Sequence, residues 1–183
     1  MPGRKHIVQG KAMSGNLADL ESRVYALEHV NAIKEVQYRY WRCVDAQKLD
    51  EVLDCFIDNG AVIEMEGVPP CNTREDFIKV LKAQGGKSGF LSLHSGHNPQ
   101  IKITGAVHAE GTWDALFVAV DVADRLTYQL TGRYENRYVK RNDLWKIQVQ
   151  KFRQTSLLIK KIADDGTEQV ITFGLPDPKV FDK

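Results

Sequence analysis

The 183-residue chain predicts an α+β domain, with helices laid on the concave face of a curved, mainly antiparallel sheet. Two features of the sequence predict it. Apolar residues recur at helical spacing through the first half, and from Phe90 onward the period shifts to two over several long stretches. The length supports one hydrophobic core but not two independent ones. The expected organisation is a loose leader over 1–15, one domain over 16–173 and a loose tail over 174–183.

From Asn16, Leu17, Leu20, Val24 and Leu27 fall on a narrow helical stripe flanked by Glu21, Arg23 and Glu28. Such a stripe suits a contact with a second chain, although packing on the protein's own sheet reads similarly. Asn31 interrupts the stripe, and Ile33, Val36, Tyr40 and Val44 start a new register, so a bend or a second helix is expected there. Asp45 falls at the C-terminal end of this helix. The helix dipole does nothing for a carboxylate in that place, which needs another donor.

Leu49–Ile57 reads as a short helix ending before Asn59-Gly60, and 61–65 as a short strand. Pro69-Pro70 breaks the chain before Thr73 caps a helix through Leu81, which Gly85-Gly86 closes. Strands are expected over 90–97, 100–104, 106–120, 126–140 and 144–160.

The charge balance, 25 basic against 24 acidic residues, offers no diffuse attraction to nucleic acid or anionic lipid. No apolar run approaches the ~20 residues a membrane helix needs, and the basic start lacks an apolar segment with a cleavage site, so a cytoplasmic protein is expected. Cys43, Cys55 and Cys71 lack C-x-x-C spacing and read as reduced packing residues rather than a metal site. Gly85-Gly86-Lys87-Ser88-Gly89 follows a helix and lacks the earlier glycine of a phosphate loop, so it reads as a flexible connection.

Candidate chemistry is confined to three segments: the helix end at Tyr40–Asp45, the first long strand around His94, and the last around Arg153. A histidine held by a carboxylate is the simplest general base near neutral pH, because the carboxylate selects the tautomer and stabilises the imidazolium. Spacing alone leaves open the alternative of a sheet-packing His94 and a solvated Asp45. Tyr40 shares a helix face with Val44 and reads equally as a phenol donor or as core. His97 has the opposite parity unless Gly96 bulges the strand.

The stretches "IKEVQYRYWRCVDAQKLDEV", "SLHSGHNPQIKI" and "RYENRYVKRNDLWKI" resemble the SnoaL-like branch of the nuclear-transport-factor-like, or cystatin-like, cone folds. Within it they are most similar to the bile acid 7α-dehydratases, and more distantly to dehydrochlorinases and scytalone dehydratases. The resemblance implies a cone-shaped roll in which Asp45 and His94 form a catalytic pair, Tyr40 supplies a phenol, and Arg153 stabilises developing negative charge or else makes a surface salt bridge. Trp113, Phe117 and Tyr134 are expected to wall an apolar pocket. The sequence departs from the bile acid enzymes at Phe117, where they carry a further aspartate. Asp114 has the wrong strand parity to replace it.

The expected function is a cofactor-free, metal-free lyase or isomerase acting on a hydrophobic, carbonyl-bearing, polycyclic or steroid-like molecule. A homo-oligomer, dimer or trimer, is expected, with no nucleic acid or membrane partner. The fold also admits a non-catalytic binding or assembly module, or a β subunit of a ring-hydroxylating dioxygenase.

Overall fold

The structure, a computed structural model, describes residues 8–85 and 89–174. Helix α1 (Val8–Asp45) is one continuous rod, followed by α2 (Leu49–Cys55), strand β1 (Val62–Met65) and α3 (Arg74–Gly85). Five strands complete the chain: β2 (Phe90–Gly105), β3 (His108–Asp121), β4 (Leu126–Arg141), β5 (Leu144–Ile162) and β6 (Glu168–Gly174).

The break expected at Asn31 is absent, because an exposed Asn costs a helix only a fraction of a kcal/mol, about 0.7 at most. What changes at Asn31 is the environment. Before it, Leu17, Leu20, Val24 and Leu27 are solvent-exposed; after it, Ile33, Val36, Tyr40, Trp41 and Val44 are buried. The helix also starts earlier than Asn16, at Val8, since extending a formed helix through Lys11, Ala12 and Met13 costs little. The chain is thus helical over 8–15, where a loose leader was expected, while 1–7 lie outside the described residues. Gly86, Lys87, Ser88 and the tail beyond Gly174 lie outside them too.

Thr73 caps α3 as its sequence predicts: its Oγ accepts the Asp76 amide N–H at 3.1 Å and donates to the Asp76 carboxylate at 2.7 Å. A capping exchange of this kind contributes about 1 kcal/mol.

The sheet is mixed, curved and open, in the order β1-β5-β4-β3-β2, with β6 also paired to β5. β1 runs parallel to β5 and every other pairing is antiparallel. β6 was not anticipated: Val170, Ile171 and Phe173 are exposed, so no half-buried alternation marks the strand in advance. β6 takes the same edge of β5 as β1, further along, pairing with Leu157–Ile162 where β1 pairs with Val149–Phe152.

Sheet and helices meet in one aromatic core. Trp41 contacts Trp113 edge-on at 5.4 Å between ring centroids, and Tyr40 packs against Phe56 and Phe77. Gly96 makes the first contact possible, for a Cβ there would stand 2.0 Å from the Trp41 indole. Beneath the helix a polar chain is buried with the rings. The Trp113 indole donates to the Tyr138 hydroxyl (2.9 Å), and that hydroxyl donates to the Gln37 side-chain oxygen (2.8 Å). Cys43, Cys55 and Cys71 are buried free thiols. Among the described residues no helix is long and apolar enough to cross a membrane.

Candidate active site

Asp45 is the last residue of α1, and the strand that faces it is β2. Residues of β2 alternate between the two faces of the sheet, so Ser92 and His94 point together toward the helix end. Both reach the Asp45 carboxylate. His94 Nδ1 lies 2.6 Å from Asp45 Oδ1, the Ser92 hydroxyl donates to the same oxygen at 3.0 Å, and the His94 backbone N–H donates to Oδ2 at 2.8 Å. Three donors thus supply what the helix terminus withholds.

The pair is largely sequestered, with side chains 13% exposed for His94 and 14% for Asp45. Burial pushes the Asp45 carboxyl up, but the hydrogen bonds and charge of His94, together with the Ser92 hydroxyl, hold it below the usual carboxylate range. An ionised carboxylate only accepts, so the imidazole proton is assigned to Nδ1, and Nε2 is the nitrogen left for a substrate.

His94 lines a cavity of about 580 Å³ between the helices and the concave face of the sheet. Tyr40, Phe117 and Tyr134 also line it, as do Ser92, Leu130 and Phe152. Phe117 is the register partner of His94 on β3, and its ring lies 4.7 Å from the imidazole. A phenyl ring therefore occupies the strand position beside the base. Asp114 bonds Asn98 and Arg133 at the exposed surface instead. Burial pushes the Tyr40 and Tyr134 phenols well up, so both remain protonated hydrogen-bond donors. Gln150 sits beside the Tyr40 hydroxyl.

Two expected residues stand elsewhere. Trp113 is wholly buried in the core and does not line the cavity. Arg153 is 68% exposed and does not line it either, its guanidinium lying 3.8 Å from Glu66 Oε1. A bulge explains the second correction. The register shifts between the Tyr138↔Ile147 and Arg137↔Val149 pairs, so the inward face passes from Trp145 and Ile147 to Gln150 and Phe152, and Phe152 and Gln154 line the cavity. Arg153, between two inward residues, points out. His97 bonds Ser95 on the exposed face, at 3.1 Å.

Ser92, Glu66 and Gln154 line the cavity although they had not been singled out. Ser92 was discoverable, because it lies two positions before His94 and shares its face by strand parity. Glu66 and Gln154 carry no such signal, since their placement depends on the turn after β1.

This architecture and cavity belong to a known class: residues 25–151 match the SnoaL-like domain family, and the chain is a member of it. Solved structures agree in fold. A scytalone dehydratase candidate from Novosphingobium aromaticivorans superposes with TM-score 0.67 at 19% identity, covering 83% of this chain and 95% of that one. LinA superposes with TM-score 0.68 at 17% identity over 74% and 92%. The hexachlorocyclohexane dehydrochlorinase LinA-type3 from Novosphingobium barchaimii gives 0.67 at 17% over 84% and 99%.

Proposed function

We propose that the chain is a cofactor-free lyase or isomerase in which His94, oriented by Asp45, removes the proton next to a carbonyl in a hydrophobic small molecule. One observation carries the reading: a carboxylate with three protein donors clamps an imidazole at the wall of an apolar cavity. A surface ion pair does not need such a clamp.

Nε2 takes the α-proton, and the C–H electron pair moves into the carbonyl to give an enolate. Tyr40, a protonated phenol on the same cavity, donates to the developing oxyanion. If the substrate carries a β-hydroxyl, the electron pair returns to expel it, the imidazolium supplies its proton, and an enone and water result. If the substrate carries a β,γ-double bond instead, a dienolate forms, the imidazolium returns the proton at the γ-carbon, and the double bond moves into conjugation with the carbonyl. Phe117 in place of an acid beside the base favours this economy, in which one imidazole handles the proton throughout.

LinA-type3 and the scytalone dehydratase candidate are both named for eliminations, which supports the same class. Resemblance to the bile acid 7α-dehydratases supports a polycyclic substrate, which the cavity volume accommodates. We also take the protein to be a homo-oligomer, on the exposed apolar residues of α1 and of the outer face of β2 and β3.

The test is exchange of α-protons for deuterium on polycyclic ketones, with enone formation from their β-hydroxy derivatives. His94→Ala should lower both by about a thousandfold while leaving the fold intact. Undiminished exchange in that variant would remove the base.

A further inference from the structure

Among the described residues that line the cavity there is no lysine and no arginine, while two carboxylates, Glu66 and Asp121, stand in its wall. Asp121 is buried and accepts the Asp124 amide N–H at 3.0 Å. Glu66 is placed differently. It follows β1, one edge strand of the path β1-β5-β4-β3-β2, whereas His94 is on β2, the other edge strand. The two thus line the same cavity from opposite edge strands of that path.

The Glu66 side chain is 16% exposed and its carboxylate is anchored through one oxygen, which accepts the Gln154 backbone N–H. The Arg153 guanidinium, 3.8 Å from the other oxygen, is too far for a hydrogen bond. A carboxylate oxygen fixed in position and with lone pairs to spare is a receptor for a hydroxyl. It is also a barrier to a carboxylate or phosphate, because among the described residues the wall holds no lysine or arginine and the nearest guanidinium, Arg153, stands outside it.

We infer that the cavity selects an uncharged ketone bearing a hydroxyl at the end remote from its acidic C–H, with Glu66 receiving that hydroxyl and excluding anionic analogues. The inference rests on the reading of this cavity as the substrate site. It goes further by naming Glu66 as the specificity residue and by narrowing the substrate class.

Three probes test it on the full chain by calorimetric titration at neutral pH: phenylcyclohexanone joined at the ring carbon opposite the ketone, its para-hydroxy derivative and its para-carboxy derivative. The hydroxy probe should bind about tenfold tighter than the parent. The carboxy probe should bind about tenfold more weakly. Glu66→Gln, which keeps an acceptor for the Gln154 amide, should bring all three within about threefold of one another. A carboxy probe that binds as well as the hydroxy probe overturns the inference in the unmodified protein, with no variant needed. So does an order that survives Glu66→Gln, or failure of all three to bind. Affinities are read without turnover, so an inert His94 fails the exchange test above and leaves this one readable.

Discussion

Asp45 illustrates how much one side chain depends on its surroundings. Its carboxyl titrates lower in the folded protein than in an unfolded chain, so the folded state is favoured at pH above the ordinary aspartate value of ~3.9. That contribution is lost as pH falls through the depressed folded value. Asp45→Asn should therefore cost about 1 kcal/mol at neutral pH, with the gap to the unmodified protein closing in acid, as denaturant titrations at several pH values would show. Ser92→Ala removes one of the donors that hold the carboxyl down. The acid limb of the rate profile should then shift upward, with a smaller loss of rate than for His94→Ala. An unchanged limb would mean that the hydroxyl contributes nothing to the clamp.

Legibility at this level was uneven for physical reasons. Tyr40 and Tyr134 reach the cavity because helical and strand periodicities carry them there, and those periods are written in the chain. Arg153 does not, because one extra residue in β5 reverses the alternation, and nothing local to Arg153 announces that bulge. Trp113 faces the concave side as its parity demands, but sits below the cavity floor, a depth that a one-dimensional pattern does not encode.

Among the elements, β2 is the most constrained. Gly96 admits the Trp41 indole so closely that Gly96→Ala requires the ring or the strand to move, and neither is a flexible tip. A loss of about 3 kcal/mol is expected by thermal or chemical denaturation. Activity should fall with it, since Ser92 and His94 lie on the same strand. Gly132 on β4 is similarly committed, with a Cβ there 2.3 Å from the Phe152 ring and 2.5 Å from the Arg153 carbonyl oxygen. The helices and the long antiparallel strands were readable from their periods alone, and their boundaries mostly moved by a few residues. The uninterrupted α1 and the additional β6 were not, because in both cases the residues concerned are exposed and their conformation is set by neighbouring turns or strands rather than by an amphipathic pattern.

For the molecule as a whole, exposed apolar residues stand on the first part of α1, on the outer face of β2 and β3, where Leu91, Leu93, Val118 and Val120 stand together, and on β6 at Val170, Ile171 and Phe173. Covering the second patch by another copy of the chain is the expected arrangement, and replacing Leu93 and Val118 by aspartate should lower the mass seen by light scattering to that of the monomer, 20.7 kDa. No change in mass would locate the contact elsewhere.

Strand β2 thus has Leu93 on one side and His94 on the other, one peptide apart. A neighbouring subunit seated on the outside would brace the base from behind. Dilution into single subunits would then blunt the catalyst well before it melted it, and assembly would act as the protein's own throttle.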